Sequence, residues 1–349
     1  MAFHPRYAAL NPSPPQYLSD DLPGPADSIE IRPGIHWLRM PLPFKPSHIN
    51  IWLLEDGDGW TLIDTGYYEK ETRELWLQLF SGLMQDRPIR RIILTHHHFD
   101  HIGQAAWLAS HFKADIHTSE GENQIIVGLA KKPEAGETQR VEDFYQPHAS
   151  TDIRDLYLQF CNMAEAIDAA PAQQLLQDGG QLDIGAHSWR IFLSGGHSIS
   201  HALLYCEALD LLISGDHILP TISSNIGLWP YEIDGANPLK QYFESMQILL
   251  AQTHDPLILP SHGKPFIGLR GRIDELIDEH NQQLQTIYST CAQPRTLRQI
   301  MTALFPNTTQ GISLALAFAE AMAGVTYLQE QQHLLRSIDS DGLYYYQAQ

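Results

Sequence analysis

Residues 95–104 read THHHFDHIGQ, four imidazoles and a carboxylate within ten positions, directly after the apolar run IRRIIL. The run reads as a buried strand, so the cluster sits where a strand gives way to a turn. Zinc or a similar borderline metal takes imidazole nitrogen and carboxylate oxygen at about 2.0–2.2 Å, and strand-end loops can supply both. In extended backbone His96 and His98 point to one side and His97 to the other. Asp100 and His101 follow on the turn into the next helix and can address a neighbouring position. One short loop thus offers two ligands to each of two metals.

Three further ligand-type residues stand at later strand ends: His197 in SGGHSISH, Asp216 in SGDHI and His262 in PSHGKP. Two adjacent metals need a bridging group, and a carboxylate with two oxygens suits that place better than an imidazole. Asp216 is the natural bridge. An isolated histidine beside a strand is usually an ordinary polar side chain, but four metal-type residues in six positions with three more at successive strand ends are not explained that way.

The 349 residues carry 22 Lys and Arg against 41 Asp and Glu, a formal net charge of -19, which repels phosphate backbones and argues against a nucleic-acid substrate. Cys161, Cys206 and Cys291 are too few and too scattered for a disulfide framework or a Cys-x-x-Cys site, so a reducing, cytoplasmic setting is expected. The Pro-rich start lacks a signal-like apolar core, and no later run is read as reaching the roughly 20 apolar residues of a membrane span.

Along the chain, residues 1–28 read as an extended arm or surface cover, and 29–288 as a mixed α/β catalytic domain in which strands and helices alternate. Within it, about 120–178 has helical periodicity and few β signals, an insertion over one face. Residues 289–349 read as two helices and a β-hairpin turning at Asp-Gly, a winged-helix-like module suited to packing or to forming a homodimer.

His96, His98, Asp100 and His101 match the H-x-H-x-D-H signature of the metallo-β-lactamase superfamily, and His197, Asp216 and His262 follow in its order, so residues 30–270 resemble that family. The resemblance implies an αββα sandwich. It places His96, His98 and His197 on a first metal, Asp100, His101 and His262 on a second, and Asp216 between them, with zinc the first choice and iron or manganese accepted by the same donors. It implies a hydroxide between the metals as nucleophile, oriented by Asp100. Asp64 in LIDTG resembles the family's early Asp-x-Gly element and would orient a ligand from behind; His201 and His217 are read as supporting neighbours.

An aspartate rather than a cysteine at the bridge looks more like the glyoxalase II branch, which cleaves thioesters. Gln104, where that branch often has a second glycine, and the different C-terminal module put glutathione specificity in question. Trp229 and Tyr231, in the loop after the bridge, are expected to line an apolar groove for the acyl part of a small thioester, ester or lactone. The alternatives are a metal-dependent endoribonuclease or phosphodiesterase, and a redox di-iron protein.

Overall fold

Residues His48–Asp56, HINIWLLED, are apolar on both faces: Ile49, Ile51 and Leu53 enter one hydrophobic cluster while Trp52 and Leu54 enter another. A strand alternates its side chains, so two apolar faces require cover on both sides. The later strand His201–Cys206 repeats this, with Leu203 and Tyr205 going one way and Ala202, Leu204 and Cys206 the other. Two such sheets, stacked, share one inner core and need an outer layer each.

A computed structural model shows this arrangement; it describes residues 2–7, 14–129, 135–163, 167, 170–232 and 235–349. In chain order the elements are β1 (Gln16–Tyr17), β2 (Ile29–Arg32), β3 (Ile35–Pro41), β4 (His48–Asp56), β5 (Gly59–Ile63), α1 (Lys70–Ser81), β6 (Ile89–Ile93), α2 (Phe99–Ile102), α3 (Ala105–Phe112), β7 (Asp115–Ser119), α4 (Glu120–Leu129), α5 (Ala135–Tyr145), α6 (Thr151–Met163) and β8 (Gln174–Leu176). Then come β9 (Gln181–Ile184), β10 (His187–Ser194), β11 (His201–Cys206), β12 (Leu211–Gly215), α7 (Pro238–Gln252), β13 (Leu257–Pro260), β14 (Phe266–Ile267), α8 (Leu269–Thr290), α9 (Leu297–Leu304), α10 (Ile312–Glu330), β15 (Leu334–Ile338) and β16 (Tyr344–Ala348).

One sheet has the order β2-β3-β4-β5-β6-β7-β8 and the other β1-β14-β13-β12-β11-β10-β9. Strands β5 to β8 run parallel to one another, as do β12 and β13, so their C-terminal ends collect at one edge of the sandwich. Trp37, Trp52, Ile93, Trp189 and Ile213 fill the space between the sheets. Trp76, Leu79 and Leu108 from α1 and α3 cover the outer face of the first.

The stretch expected to be a helical insertion does hold α4, α5 and α6, but it ends in β8, which pairs parallel with β7 and extends the first sheet. The expected boundary between 288 and 289 falls inside α8, which runs on to Thr290. Nor is the C-terminal part separate in packing. Tyr145, Ile153 and Tyr157 of the insertion, Met246 and Leu250 of α7, Leu284 of α8 and Phe318 and Leu328 of α10 belong to one cluster on the outer face of the second sheet. Near the N-terminus, the Phe3 and His4 amides donate to Asn281 Oδ1 of α8, His4 stacks on Phe243, and β1 pairs with β14.

Helix α10 corrects one expectation. Its 19 residues are long and apolar enough to cross a membrane by length and composition, although 67% of that window is buried inside the fold. The run does not stand out in the sequence because small alanines, buried at 317, 319, 321 and 323, carry much of its apolar character.

Candidate metal centre

The histidine loop leaves β6 at its parallel, C-terminal end, and two backbone bonds fasten that edge to the opposite sheet, Ala202 N to Thr95 O at 2.8 Å and Asn50 N to Ser261 O at 2.7 Å, while Ser261 N to Gly215 O at 3.0 Å ties the ends of β12 and β13 within that sheet. They bring the ends of β6, β10, β12 and β13 together. All seven expected ligand-type residues meet there in two groups: His96, His98, His197 and Asp216, and Asp100, His101 and His262, each with donor atoms within 4.8 Å of one another.

Asp216 spans the two groups. Its Oδ2 lies 3.5 Å from His197 Nε2, while Oδ1 lies 3.6 Å from His101 Nε2 and 3.4 Å from His262 Nε2. Asp100 Oδ2 closes the second group at 3.5 Å from His262 Nε2 and 3.7 Å from His101 Nε2. In the first, His96 Nε2 stands 2.8 Å from His98 Nδ1 and 3.3 Å from His197 Nε2.

What lies behind each ring sets which nitrogen faces inward. His197 Nδ1 donates to the Asn225 carbonyl at 3.0 Å, His262 Nδ1 to the His48 carbonyl at 2.8 Å, and His101 Nδ1 to Asp64 Oδ2 at 2.8 Å. Thr95 Oγ1 donates to Asp64 and lies 3.0 Å from His96 Nδ1. Asp64 itself is held at φ 60°, with its Oδ1 also accepting from the Thr95 amide. The expected orienting role is thus tied to the backbone: the left-handed turn at Asp64 aims its carboxylate at His101.

The donors fit a divalent cation on two grounds. His101 Nε2 and Asp216 Oδ1 are buried without a hydrogen-bond partner, a cost of roughly 1–3 kcal/mol each that a cation would remove. The field points the same way: burial pulls the His101 imidazole down, but Asp100, Asp64 and Asp216 outweigh it and hold its pKa well above the usual value. Against the same opposing burial, Asp216 and Asp100 push His262 up to about 10. A space that favours charge on two imidazoles favours a metal ion too. His96 and His98 are held well below the ordinary value by burial and by neighbouring imidazoles, leaving neutral rings with a lone pair to give.

His201 and His217 lie behind the cluster. His201 Nε2 accepts from the Asp216 amide at 3.2 Å, and its ring stacks on His96. His217 is locked between Ser194 and Ser245. Trp229 departs from expectation: 8% exposed and stacked on Tyr157, it packs the core rather than lining a groove, because the insertion offers it an aromatic partner. Tyr231 stays half-buried with its ring edge-on to His97, 5.6 Å between centroids. Gln104 is buried and donates to the Tyr67 carbonyl, so it closes the turn behind Asp64.

Sequence reasoning missed Glu122. This fully buried carboxylate accepts from the His97 amide and Nδ1 through Oε2, at 3.0 and 2.6 Å, and from Ser198 Oγ and the Ser200 amide through Oε1, both at 2.7 Å. It clamps the histidine loop to the His197 loop. A single glutamate in a helix has no motif around it, so nothing local announced it.

A two-sheet sandwich with helices outside and a split His/Asp cluster at its strand ends defines a metallo-hydrolase. The chain belongs to the metallo-beta-lactamase superfamily, whose model matches residues 45–262, more than half of its length. A model of the metallo-beta-lactamase-like C-terminal domain matches 284–349. The crystal structure of a beta-lactamase domain protein from Burkholderia ambifaria is similar at 33% identity and a TM-score of 0.86, covering 96% of this chain and 98% of that one. A metallo-beta-lactamase family protein from Thermus thermophilus gives 26% and 0.76, over 92% and 100%. Among sequences, "Probable metallo-hydrolase YqjP" of Bacillus subtilis is 25% identical over 88% of this chain and 96% of its own. The human "Acyl-coenzyme A thioesterase MBLAC2" is 26% identical over 52% of this chain and 63% of its own.

Proposed function

We propose that the protein is a dinuclear hydrolase of small acyl thioesters, of the coenzyme A or acyl-carrier type, with the glyoxalase II-like branch as its nearest pattern. The observation that carries this is the carboxylate of Asp216, one oxygen toward each group, where a cysteine would mark a β-lactamase. The likeness to a relative named as an acyl-coenzyme A thioesterase supports the substrate class.

His96, His98 and His197 would hold one cation, Asp100, His101 and His262 the other, and Asp216 both; zinc is the first choice, with iron or manganese fitting the same nitrogen and oxygen donors. Divalent cations so held supply Lewis acidity and bring the pKa of water toward neutrality. Asp100, 14% exposed at its side chain, reaches the cleft from the second group and would orient the attacking oxygen by accepting a hydrogen bond from it. Asp64, Thr95 and Glu122 keep the rings in place. A thiolate leaves without needing a proton donor, which suits thioester cleavage by a centre of this kind. Tyr231 gives the wall beside His97 an aromatic surface for the acyl part.

The test is thiol release from acyl-CoA and from S-lactoylglutathione by zinc-loaded protein, with Asp216→Ala as control. Turnover is expected on acyl-CoA and at least about a hundredfold less with the variant; no metal-dependent thiol from either substrate would end the thioester reading. A nuclease has less behind it, since of the C-terminal arginines Arg298 pairs with Asp152 of α6 and Arg336 lies over the Tyr344 ring.

A further inference from the structure

The loop at 221–229, which follows the bridging aspartate, lies between the His/Asp cluster and helix α10. On the cluster side, the Asn225 carbonyl accepts from His197 Nδ1 at 3.0 Å, and the Ser224 hydroxyl donates to the Asp216 carbonyl. On the other side, Asn225 Nδ2 donates to Glu320 Oε1 of α10 at 2.7 Å, and the Leu228 amide to the Ala319 carbonyl at 3.0 Å. The approach is so close at Gly227 that a Cβ there would stand 2.7 Å from that of Ala319.

We propose that Glu320 is a positioning residue of the metal centre: through the side chain of Asn225 it sets the place of the carbonyl that orients His197. The proposal rests on His197 being a ligand. An imidazole ligand is aimed by whatever its other nitrogen donates to. Here that acceptor belongs to a stretch with no helix or strand from Ser223 to Trp229, so its position depends on tethers. The helix has no need of Glu320 for its own packing. Its neighbours Ala319, Ala321 and Ala323 are small and buried, and alanine is the better helix former. Burial also raises the Glu320 carboxyl to about 7, and the hydrogen bond from Asn225 works against that rise. The C-terminal part of the chain thereby becomes part of the machinery of the site rather than an appended module.

The test is zinc affinity of the metal-free protein, by competition with a chromophoric chelator, together with the visible spectrum after cobalt loading. Glu320→Ala and Asn225→Ala should each weaken one zinc by about tenfold and change the cobalt bands, while Glu320→Gln, whose amide oxygen still accepts, stays within about twofold. The double alanine variant should be no weaker than Asn225→Ala alone, which already cuts the bond to Glu320 along with the longer one, 3.5 Å, to the Leu316 carbonyl. Met322→Ala, which removes packing from the same helix, should lower thermal stability and leave affinity unchanged. Wild-type affinity in Glu320→Ala, equal loss in Met322→Ala, or equal loss in Glu320→Gln overturns the proposal alone. A wild-type protein that binds no zinc overturns it together with the metal-centre reading.

Discussion

At the scale of single residues, chemistry decided what could be read in advance. Metal binding favours few residue types at strand ends, so the residues that converge in the two groups, His96, His98, His197 and Asp216 with Asp100, His101 and His262, were legible as candidates. Residues that support the site from behind are not so restricted: Thr95 and Asn225 touch its histidines, Glu122 holds the loops that carry them, and each looks like any Thr, Asn or Glu. Glu232 shows another invisible property. It is 9% exposed, and burial together with nearby Glu122 pushes its carboxyl from 4.5 to about 8. The folded state therefore keeps a proton that the unfolded chain releases, and stability falls as pH rises from about 4.5 to about 8. Glu232→Gln, fixed in the neutral shape, should remove on the order of 2 kcal/mol of that fall in urea melts between about pH 5 and pH 8. An unchanged slope would show that the carboxyl is ionised at little cost.

At the scale of elements, short apolar runs bounded by turn residues marked the central strands, and the turns that end them carry the site. The end of β12 shows how little slack they have. Gly215 sits at φ +53°, and a Cβ there would lie 2.3 Å from His201 Cε1 and 3.3 Å from Thr95 Cβ. Gly215→Ala combines left-handed strain with overpacking and should cost roughly 2–4 kcal/mol. By moving His201 it also displaces Asp216, so zinc retention should fall along with the melting temperature. A variant that melts like the parent and holds its zinc would mean that the β12 turn relaxes freely. Periodicity did not reveal β8, because three residues after a helical stretch are too short to show a period.

At the scale of the molecule, the insertion and the C-terminal part are one packing unit. Phe318 of α10 is 0% exposed and meets Tyr145 at 5.2 Å and His148 at 5.8 Å between ring centroids. Phe318→Ala should cost about 3–5 kcal/mol. It should do so in one transition, because the cavity opens in a core shared with the second sheet. All seven tryptophans lie at or before Trp229, so their fluorescence reports the sandwich, while far-UV circular dichroism also reports α8 to α10. Coincident melts are expected from both probes; a helical transition that precedes the tryptophan one would show that the C-terminal helices come away alone.

The sequence by itself determined the donor set, the strand ends that carry it and the two-sided apolar strands that force a layered fold, because each is written in residue type and short-range spacing. The tertiary structure alone decided that Glu122 ties two loops, that Trp229 goes to the core while Tyr231 stays by the site, and that α10 backs the loop holding His197. Those depend on contacts between residues far apart along the chain, and no local period records which distant side chain will arrive.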